Sequence, residues 1–493
     1  MKKYFYILVF AVLMGGLTSC NDWLDVSPKN RIPADKMFES ESGFKDILTG
    51  AYLKLGTANL YAGDMKYGYL DELAGLYCDY PGYNTNSVYN QAIVFDYTNQ
   101  FLSKKDNLYL EMYNVVANLN NLLQNIETHR DVLKTPHYYE CIKGEALGLR
   151  AFIYFDLLRL YGPIYSEHPT DAAIPYKTTY DKEPTPVLPA NQVVEKILED
   201  LKAAEALLKD NDPCDFHTAI DQRTDFLSNR EFRMNLYAVK AMMARVYCYS
   251  GQNDLAVQYA QEVINANKYF TLYKSQTASN YNSIRYGEQI FGLSVNQLNN
   301  TLIKNSMDME NTSVQQRYGM TADMFTKVYE GITSDWRQNV VAFNWDESHQ
   351  YAFCLKYNQA PLADNSGADA IPLIRLPEMY YIIAECAANA ETSAEALNTV
   401  RLSRGIPYSD EIHTLGYDDK DVTSEENKQQ TRRINEIMKE YRKEYYAEGQ
   451  LFFFLKAHHY TTYYGCGVAN MTSKEYQMPL PDNEKIFGKN TTK

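Results

Sequence analysis

Residues 145–163 of the chain read EALGLRAFIYFDLLRLYGP. Apolar side chains fill most positions of this stretch, so the pattern predicts a helix that is buried over most of its surface. The dipeptide Gly162-Pro163 ends the helix, because proline has no amide hydrogen to continue the helical hydrogen bonds. The helical pattern begins upstream, and the prediction is one long buried helix over residues 138–161.

Further helices are predicted on both sides of this stretch, where apolar residues recur at intervals of three and four. They cover residues 38–55, 108–126, 192–208, 235–249, 255–266, 377–390, 393–403 and 431–456. The proline-rich residues 169–189 are predicted to form a loop. The chain is therefore expected to be mostly α-helical.

One predicted helix pair, residues 235–249 and 255–266, carries the small and aromatic positions of a tetratricopeptide repeat. Small residues at these positions let two helices approach closely. The matching residues are Ala244, Tyr247, Gly251 and Ala256. Weaker versions occur at residues 377–403 and in the helix that ends at Tyr161. Their intervals do not fit a period of about 34 residues, so we expect dispersed helix pairs with insertions.

Two long stretches, residues 56–97 and 270–377, show no sustained helical period and are rich in tyrosine. Long irregular stretches in compact domains are often functional, so both are candidate ligand loops. A polar, acidic run follows Gly405 and is expected to be solvated and mobile up to residue 430. We expect residues 35–493 to form a single domain that contains all of these segments.

The N-terminus has the pattern of a secretory signal peptide. Two lysines precede an apolar run over residues 4–14, and the sequence LTSC follows at residues 17–20. The LTSC sequence resembles a lipobox, which predicts a signal peptide over residues 1–19, a lipid on Cys20 and a tether over residues 20–34. An ordinary cleaved signal is the alternative. Because no second stretch is as apolar, we expect a lipid anchor and no membrane-spanning segment.

Five sequence blocks together resemble the SusD/RagB family of nutrient-uptake lipoproteins. They are EALGLRAFIYFDLLRLYGP at 145–163, PLIRLPEMY at 372–380, ALNTVR at 396–401 with Arg404-Gly405, residues 442–449, and PLPDNE at 479–484. The chain departs from the family at residues 450–455, where it has QLFFFL and the family usually has His-Arg-Trp-Phe-Asp-Leu. It is therefore identified as a divergent member. The resemblance implies a SusD-like helical scaffold of four tetratricopeptide-like units and a partnership with a TonB-dependent transporter of the SusC type.

Motifs for catalysis, metal binding and nucleic-acid binding were not found in the sequence. The chain has no GxSxG, P-loop, GxGxxG or HExxH sequence, so no catalytic residue, cofactor or metal ligand is predicted. The net charge of −14 disfavours nucleic acid as a partner. The eight cysteines are scattered and form no CxxC pair, so they do not indicate a disulfide framework.

The aromatic content indicates a ligand surface instead. The chain contains 43 tyrosines, 20 phenylalanines and 3 tryptophans, and many lie in the two irregular stretches. Flat rings offer area on which the apolar face of a sugar can stack. The candidate contacts are Tyr77, Tyr80, Tyr83, Trp336 and Trp345. Each of these rings could instead pack beneath a loop.

These observations favour a surface lipoprotein of the outer membrane that captures oligosaccharide and delivers it to a SusC-like transporter. It is not expected to be an enzyme. Three alternatives stay open: a surface hydrolase of polysaccharide or peptide, a peptide-binding uptake protein of the same family, and a structural surface protein with no ligand.

Overall fold

A computed structural model describes residues 36–78, 92–98, 100–217, 225–274, 284–298, 318–338, 343–357, 367 and 369–488. Within these ranges the chain forms fourteen α-helices and seven short strands. The mostly α-helical class predicted from the sequence is confirmed. The predicted signal peptide, Cys20 and the whole of the predicted tether lie outside the described residues.

The helices alternate with loops along the whole described chain. In chain order they are α1 (Glu41–Leu55), α2 (Tyr69–Leu73), α3 (Gln100–Thr128), α4 (Tyr138–Tyr161), α5 (Ala190–Leu208), α6 (Leu236–Tyr249), α7 (Asn253–Ile264), α8 (Ala322–Val328), α9 (Leu376–Cys386), α10 (Ala390–Ser403), α11 (Arg432–Glu444), α12 (Leu451–Ala457), α13 (Ser473–Tyr476) and α14 (Asp482–Phe487).

The strands form three small antiparallel sheets in the described chain. They are β1 (Ala172–Pro175), β2 (Val187–Pro189), β3 (Gln289–Ser294), β4 (Gly319–Thr321), β5 (Phe343–Asp346), β6 (Tyr351–Cys354) and β7 (Ala370–Arg375). Strand β1 pairs with β2, β3 pairs with β7, and the third sheet has the order β4-β6-β5. Each sheet of the described chain therefore has only two or three strands.

The scaffold is a series of neighbouring helices. Helix α1 packs on α3, α3 on α4, and each of α4, α5 and α6 packs on the next, while α9 contacts both α7 and α10. Side chains of Asn235 and Asn389 accept amide hydrogens at the starts of α6 and α10, where the first helical donors lack partners. One hydrophobic core runs from Phe38 to Met478 and holds these helices together.

The structure corrects three local predictions. Residues 169–189 include the β1–β2 hairpin, whose strands are too short to show an alternating pattern. The predicted helix 431–456 is two helices, because Ala447 and Gly449 have φ values of 64° and 68°, outside the right-handed helical region. The run after Gly405 is not solvated throughout, since Glu426 forms two hydrogen bonds with Arg442 at 2.7 and 2.5 Å.

Candidate ligand-binding site

The two irregular stretches meet at Cys78. The Cys78 amide donates a hydrogen bond to the Gly319 carbonyl oxygen at 3.0 Å, and the Tyr351 hydroxyl donates to the Cys78 carbonyl oxygen at 2.7 Å. The Tyr77 and Tyr318 rings lie beside this contact with centroids 4.7 Å apart. The end of the first described loop thus contacts the β4-β6-β5 sheet at β4 and β6. We call this contact region the loop junction.

Trp345 lies at the far side of the loop junction, on the edge strand β5. Its register partner is Ala352 on β6, which in turn pairs with Met320 on β4. The indole is half-buried and meets the Phe325 ring of α8 at a centroid distance of 4.9 Å in an edge-on arrangement. Part of the ring surface therefore remains accessible at the sheet edge.

Tyr77 is buried beneath the loop junction, with 1% of its surface exposed. Its hydroxyl donates to the Tyr67 carbonyl oxygen at 2.8 Å, and its ring meets the Tyr446 ring edge-on at 5.5 Å. Burial raises the pKa of this phenol well above its usual value. A ring in this position supports a binding surface from below but presents no face to a ligand. Tyr80 and Tyr83 lie outside the described residues.

Trp336 is half-buried and packs on arginine side chains. Its indole Nε1 donates to the Ser403 carbonyl oxygen at 3.1 Å. Its ring lies 4.9 Å from the Arg285 guanidinium and 5.2 Å from the Arg404 guanidinium, within range of a cation–π interaction. The indole therefore covers a cluster of buried charges.

That cluster, which we call the buried ionic cluster, centres on Glu444 at the end of α11. Four arginine side chains donate hydrogen bonds to its carboxylate, at N–O distances between 2.7 and 3.2 Å: Arg285, Arg337, Arg375 and Arg404. Arg375 belongs to the PLIRLPEMY block and Arg404 to the Arg-Gly pair, while Glu444 lies within residues 442–449. Three of the sequence blocks that carry the family resemblance therefore meet in the buried ionic cluster.

The carboxylates of the cluster are held ionised. Burial alone would raise the pKa of Glu448, but the neighbouring charges of Arg375 and Lys356 lower it to about 2. The pKa of Glu444 also lies well below its ordinary value, because Arg404, Arg285 and Arg375 outweigh the effect of burial. Such full pairing fits a structural role, since each buried charge has partners of the opposite sign.

A cleft of about 810 Å³ lies beside residues 94–98, at the end of the first irregular stretch. Its walls are residues 94–98, strands β1 and β2, and residues 473–480. Asp96, Lys474 and Gln477 contribute polar groups, and the buried Phe95 and Tyr97 contribute apolar surface. This volume lies within the usual range of small-molecule sites. We call it the C-terminal cleft.

Residues 463–467 lie between the loop junction and the C-terminal cleft, since they pack on residues 73–75 ahead of the junction and on Ile93 beside the cleft. The Tyr463 hydroxyl donates to the Leu73 carbonyl oxygen at 2.7 Å. Gly465 and Gly75 bring two backbones together so closely that a Cβ on Gly75 would lie 2.6 Å from the Gly465 carbonyl carbon. The C-terminal cleft was not predicted from the sequence. In the sequence, residues 479–484 were interpreted only as one of the blocks that resemble the family.

The described part of the chain shows neither a membrane-spanning helix nor a metal site. Among the described residues, no helix is long and apolar enough to cross a membrane. Within the same part of the chain, no group of three or more His, Cys, Asp or Glu side chains has the arrangement of a metal site. The seven cysteines of the described ranges are free thiols.

Two family models match the chain. One, described as "Starch-binding associating with outer membrane", matches residues 22–248, and the other, described as "SusD family", matches residues 224–489. The chain belongs to the SusD family.

Among curated proteins, the chain is similar to SusD-like protein P38 and SusD-like protein P2 of Formosa agariphila. Identity is 23% over 279 residues for P38 and 24% over 277 residues for P2, which is 55% of this chain in each case. The chain spans about half the length of these relatives, with 47% of P38 and 48% of P2 covered.

Solved structures show the same fold at low sequence identity. A SusD superfamily protein from Bacteroides thetaiotaomicron has a TM-score of 0.67 at 18% identity, covering 90% of this chain and 97% of that one. A SusD-like carbohydrate binding protein from Bacteroides vulgatus has a TM-score of 0.66 at 18% identity, covering 92% and 97%. These likenesses establish the helical scaffold for nearly the whole chain.

Proposed function

We propose that the chain is a glycan-binding lipoprotein of the outer membrane that captures oligosaccharide and passes it to a TonB-dependent transporter. Membership of the SusD family supports this proposal, since one matching family model is described as starch-binding and associated with the outer membrane. The observation that carries it is the loop junction, where two tyrosine-rich loops are fixed on a rigid helical scaffold. Binding sites are commonly built from loops that a scaffold holds in place.

Within this proposal, ligand contacts come from the loop junction and the neighbouring C-terminal cleft. Trp345 supplies a partly accessible ring, and Tyr80 and Tyr83, which lie outside the described residues, come two and five positions after Cys78 in the chain. Tyr77 and Trp336 support the surface from beneath and are not themselves contacts. Asp96 and Gln477 line the cleft and supply hydrogen-bonding groups for sugar hydroxyls.

We propose binding and not catalysis. A catalytic carboxyl group needs a tuned pKa in an accessible site. The strongly perturbed carboxylates Glu444 and Glu448 are instead paired with arginine and lysine and shielded from solvent. A ligand would not reach them without unfolding the surrounding helices.

The test uses the secreted form of the chain, residues 20–493 with Cys20→Ala, in affinity gels that contain amylopectin, laminarin, xylan or pectin. Retardation in at least one glycan is expected, and a Trp345→Ala variant should be retarded less. Serum albumin is the non-binding control. If a peptide library is bound and no glycan is, the peptide-uptake alternative replaces the glycan proposal.

The transporter step has its own test. The lipidated protein, carrying an affinity tag at its C-terminus, is purified from detergent-solubilised outer membranes, and mass spectrometry identifies the proteins that accompany it. A TonB-dependent barrel at near-equal amount is expected. Recovery of the lipoprotein alone, under conditions that preserve a known barrel complex, would contradict delivery to a transporter.

A further inference from the structure

A second cleft lies outside the loop junction and the C-terminal cleft. Its volume is about 550 Å³, and it is formed by the end of α7, residues 267–274, the start of α9, the end of α10 and the turn Tyr408–Asp410. Two tyrosines line it, Tyr380 from α9 and Tyr408 from the turn. We call it the Tyr380–Tyr408 cleft.

Tyr408 is highly exposed, with 74% of its surface accessible. The backbone next to it is nevertheless fixed. Arg401 donates to the Asp410 carbonyl oxygen at 2.8 Å, and Asn398 both accepts from the Ile412 amide at 2.8 Å and donates to the Ile412 carbonyl oxygen at 3.0 Å. Packing does not account for this ring, because an aromatic side chain loses favourable burial when it stands in solvent. An exposed ring on a segment whose neighbouring backbone is fixed is suited to contact a ligand.

Tyr380 lies on the wall of the same cleft as Tyr408. The ring is half-buried on α9, and among the described residues neither the Tyr380 hydroxyl nor the Tyr408 hydroxyl has a hydrogen-bond partner. Both phenols are therefore available as donors and acceptors. Thr271 and Thr399 add hydroxyl oxygens to the same cleft, and Lys274 adds an ammonium group.

The lining chemistry favours a sugar over a basic peptide. Lys274 is the one lining residue of the described cleft that carries a charge, so the cleft offers no carboxylate to a cationic side chain. A pyranose needs an apolar ring face together with several hydroxyl-bonding groups, and this combination is present.

We propose that the Tyr380–Tyr408 cleft is a second glycan-binding site, in which a pyranose ring stacks on Tyr408 and bonds through its hydroxyls to Tyr380 and its neighbours. This inference rests on the proposed glycan-binding function. It adds that one polysaccharide chain is held at two separate places on the protein. Two weak sites on one chain raise the affinity for long glycans above that for short ones.

The test compares Tyr408→Ala and Tyr380→Phe with a matched control, Tyr180→Ala, in the Cys20→Ala form of residues 20–493. Tyr180 is also an exposed tyrosine, at 53% accessibility, but it lies in the loop between β1 and β2 and does not line the cleft. Affinity gels with amylopectin, laminarin, xylan and pectin measure binding, and thermal unfolding confirms that each variant is folded.

Tyr408→Ala is expected to lower the affinity for the glycan that retards the wild type about tenfold, the usual effect of removing an aromatic contact. Tyr380→Phe keeps the ring and should give a smaller loss, while Tyr180→Ala should match the wild type. If the wild type is retarded and Tyr408→Ala binds equally well, the second site is refuted and the proposed function stands. If no glycan retards the wild type, both proposals fail.

Discussion

Arg375 and Glu448 form a buried, two-pronged ion pair. The Arg375 Nε and Nη2 atoms donate to the two Glu448 carboxylate oxygens at 3.0 and 2.7 Å, and both side chains are at most 2% exposed. Arg375 ends β7, directly before α9, and Glu448 lies in the break between α11 and α12, so the pair joins two regions of the scaffold far apart in sequence.

Breaking this pair should destabilise the protein. Glu448→Gln leaves Arg375 and Lys356 as less compensated buried charges, and we expect a loss of about 3–5 kcal/mol in the free energy of unfolding. Urea unfolding followed by circular dichroism measures it. The control is Glu199→Gln, which removes an exposed pair with Lys196 and should cost under about 1 kcal/mol. Equal losses in both variants would refute a structural role for the cluster.

The lowered pKa of the Glu448 carboxylate predicts how the stability of the fold depends on pH. Its folded pKa of about 2 lies below the ordinary value of 4.5, so the unfolded chain binds more protons between these values. The stabilisation from Glu448 is present above about pH 4.5 and is lost as pH falls towards 2. Thermal unfolding from pH 7 to pH 2.5 should show a smaller decrease for Glu448→Gln than for the wild type. Parallel curves would contradict the lowered pKa.

Trp336→Ala should act on stability and not on ligand affinity. The indole covers Arg285 and Arg404, so its loss exposes buried charges to water and removes ring contacts, at a cost of roughly 2–3 kcal/mol. Thermal unfolding and glycan affinity are measured on the same preparation. A marked loss of affinity with an unchanged melting temperature would place Trp336 in the ligand site.

Trp345→Ala should act mainly on ligand affinity and less on stability. Its ring is half-buried at a sheet edge, so a smaller stability loss is expected, together with a loss of about 1–3 kcal/mol in glycan binding. Comparison of the two tryptophan variants in one titration series distinguishes a ring that stabilises the fold from a ring that contacts the ligand. Unchanged affinity in Trp345→Ala would remove this residue from the proposed surface.

Cys20→Ala should release the protein from the membrane, because the proposed lipid is attached to this thiol. Cell fractionation and surface labelling measure its location. Cys466→Ala provides a matched control, since this free cysteine lies in the folded domain and should leave anchoring unchanged. Unaltered surface labelling in Cys20→Ala would contradict the anchor.

The sequence predicted the scaffold well where one signal dominates. The helix at residues 138–161 was predicted with the bounds the structure shows, because most of its positions are apolar and Gly162-Pro163 ends it. The break between α11 and α12 was missed, since it depends on a distant partner: the Gly449 amide donates to the buried Asp71 carboxylate at 2.9 Å. Such a tertiary contact leaves no local pattern in the sequence.

The candidate site was predicted less completely. The two irregular stretches were expected to be ligand loops, and the structure shows that they meet at Cys78. Trp336 illustrates the limit, because it was predicted as a ligand contact from its place in the second irregular stretch, and its neighbours in the chain, Asp335 and Arg337, are polar. Both neighbours are buried and paired with each other at 2.6 Å, so their polarity reflects an internal ion pair. Sequence polarity alone does not separate these two cases.

The central claim is that the protein binds glycan without cleaving it. Isothermal titration of the Cys20→Ala form with the oligosaccharides of whichever polysaccharide retards it tests this most directly, with chromatography of the titrated sugar after prolonged incubation. Saturable binding and an unchanged sugar chain length are predicted. Accumulation of shorter products, abolished by changing a single accessible carboxylate, would show that the protein is a hydrolase and would contradict the account.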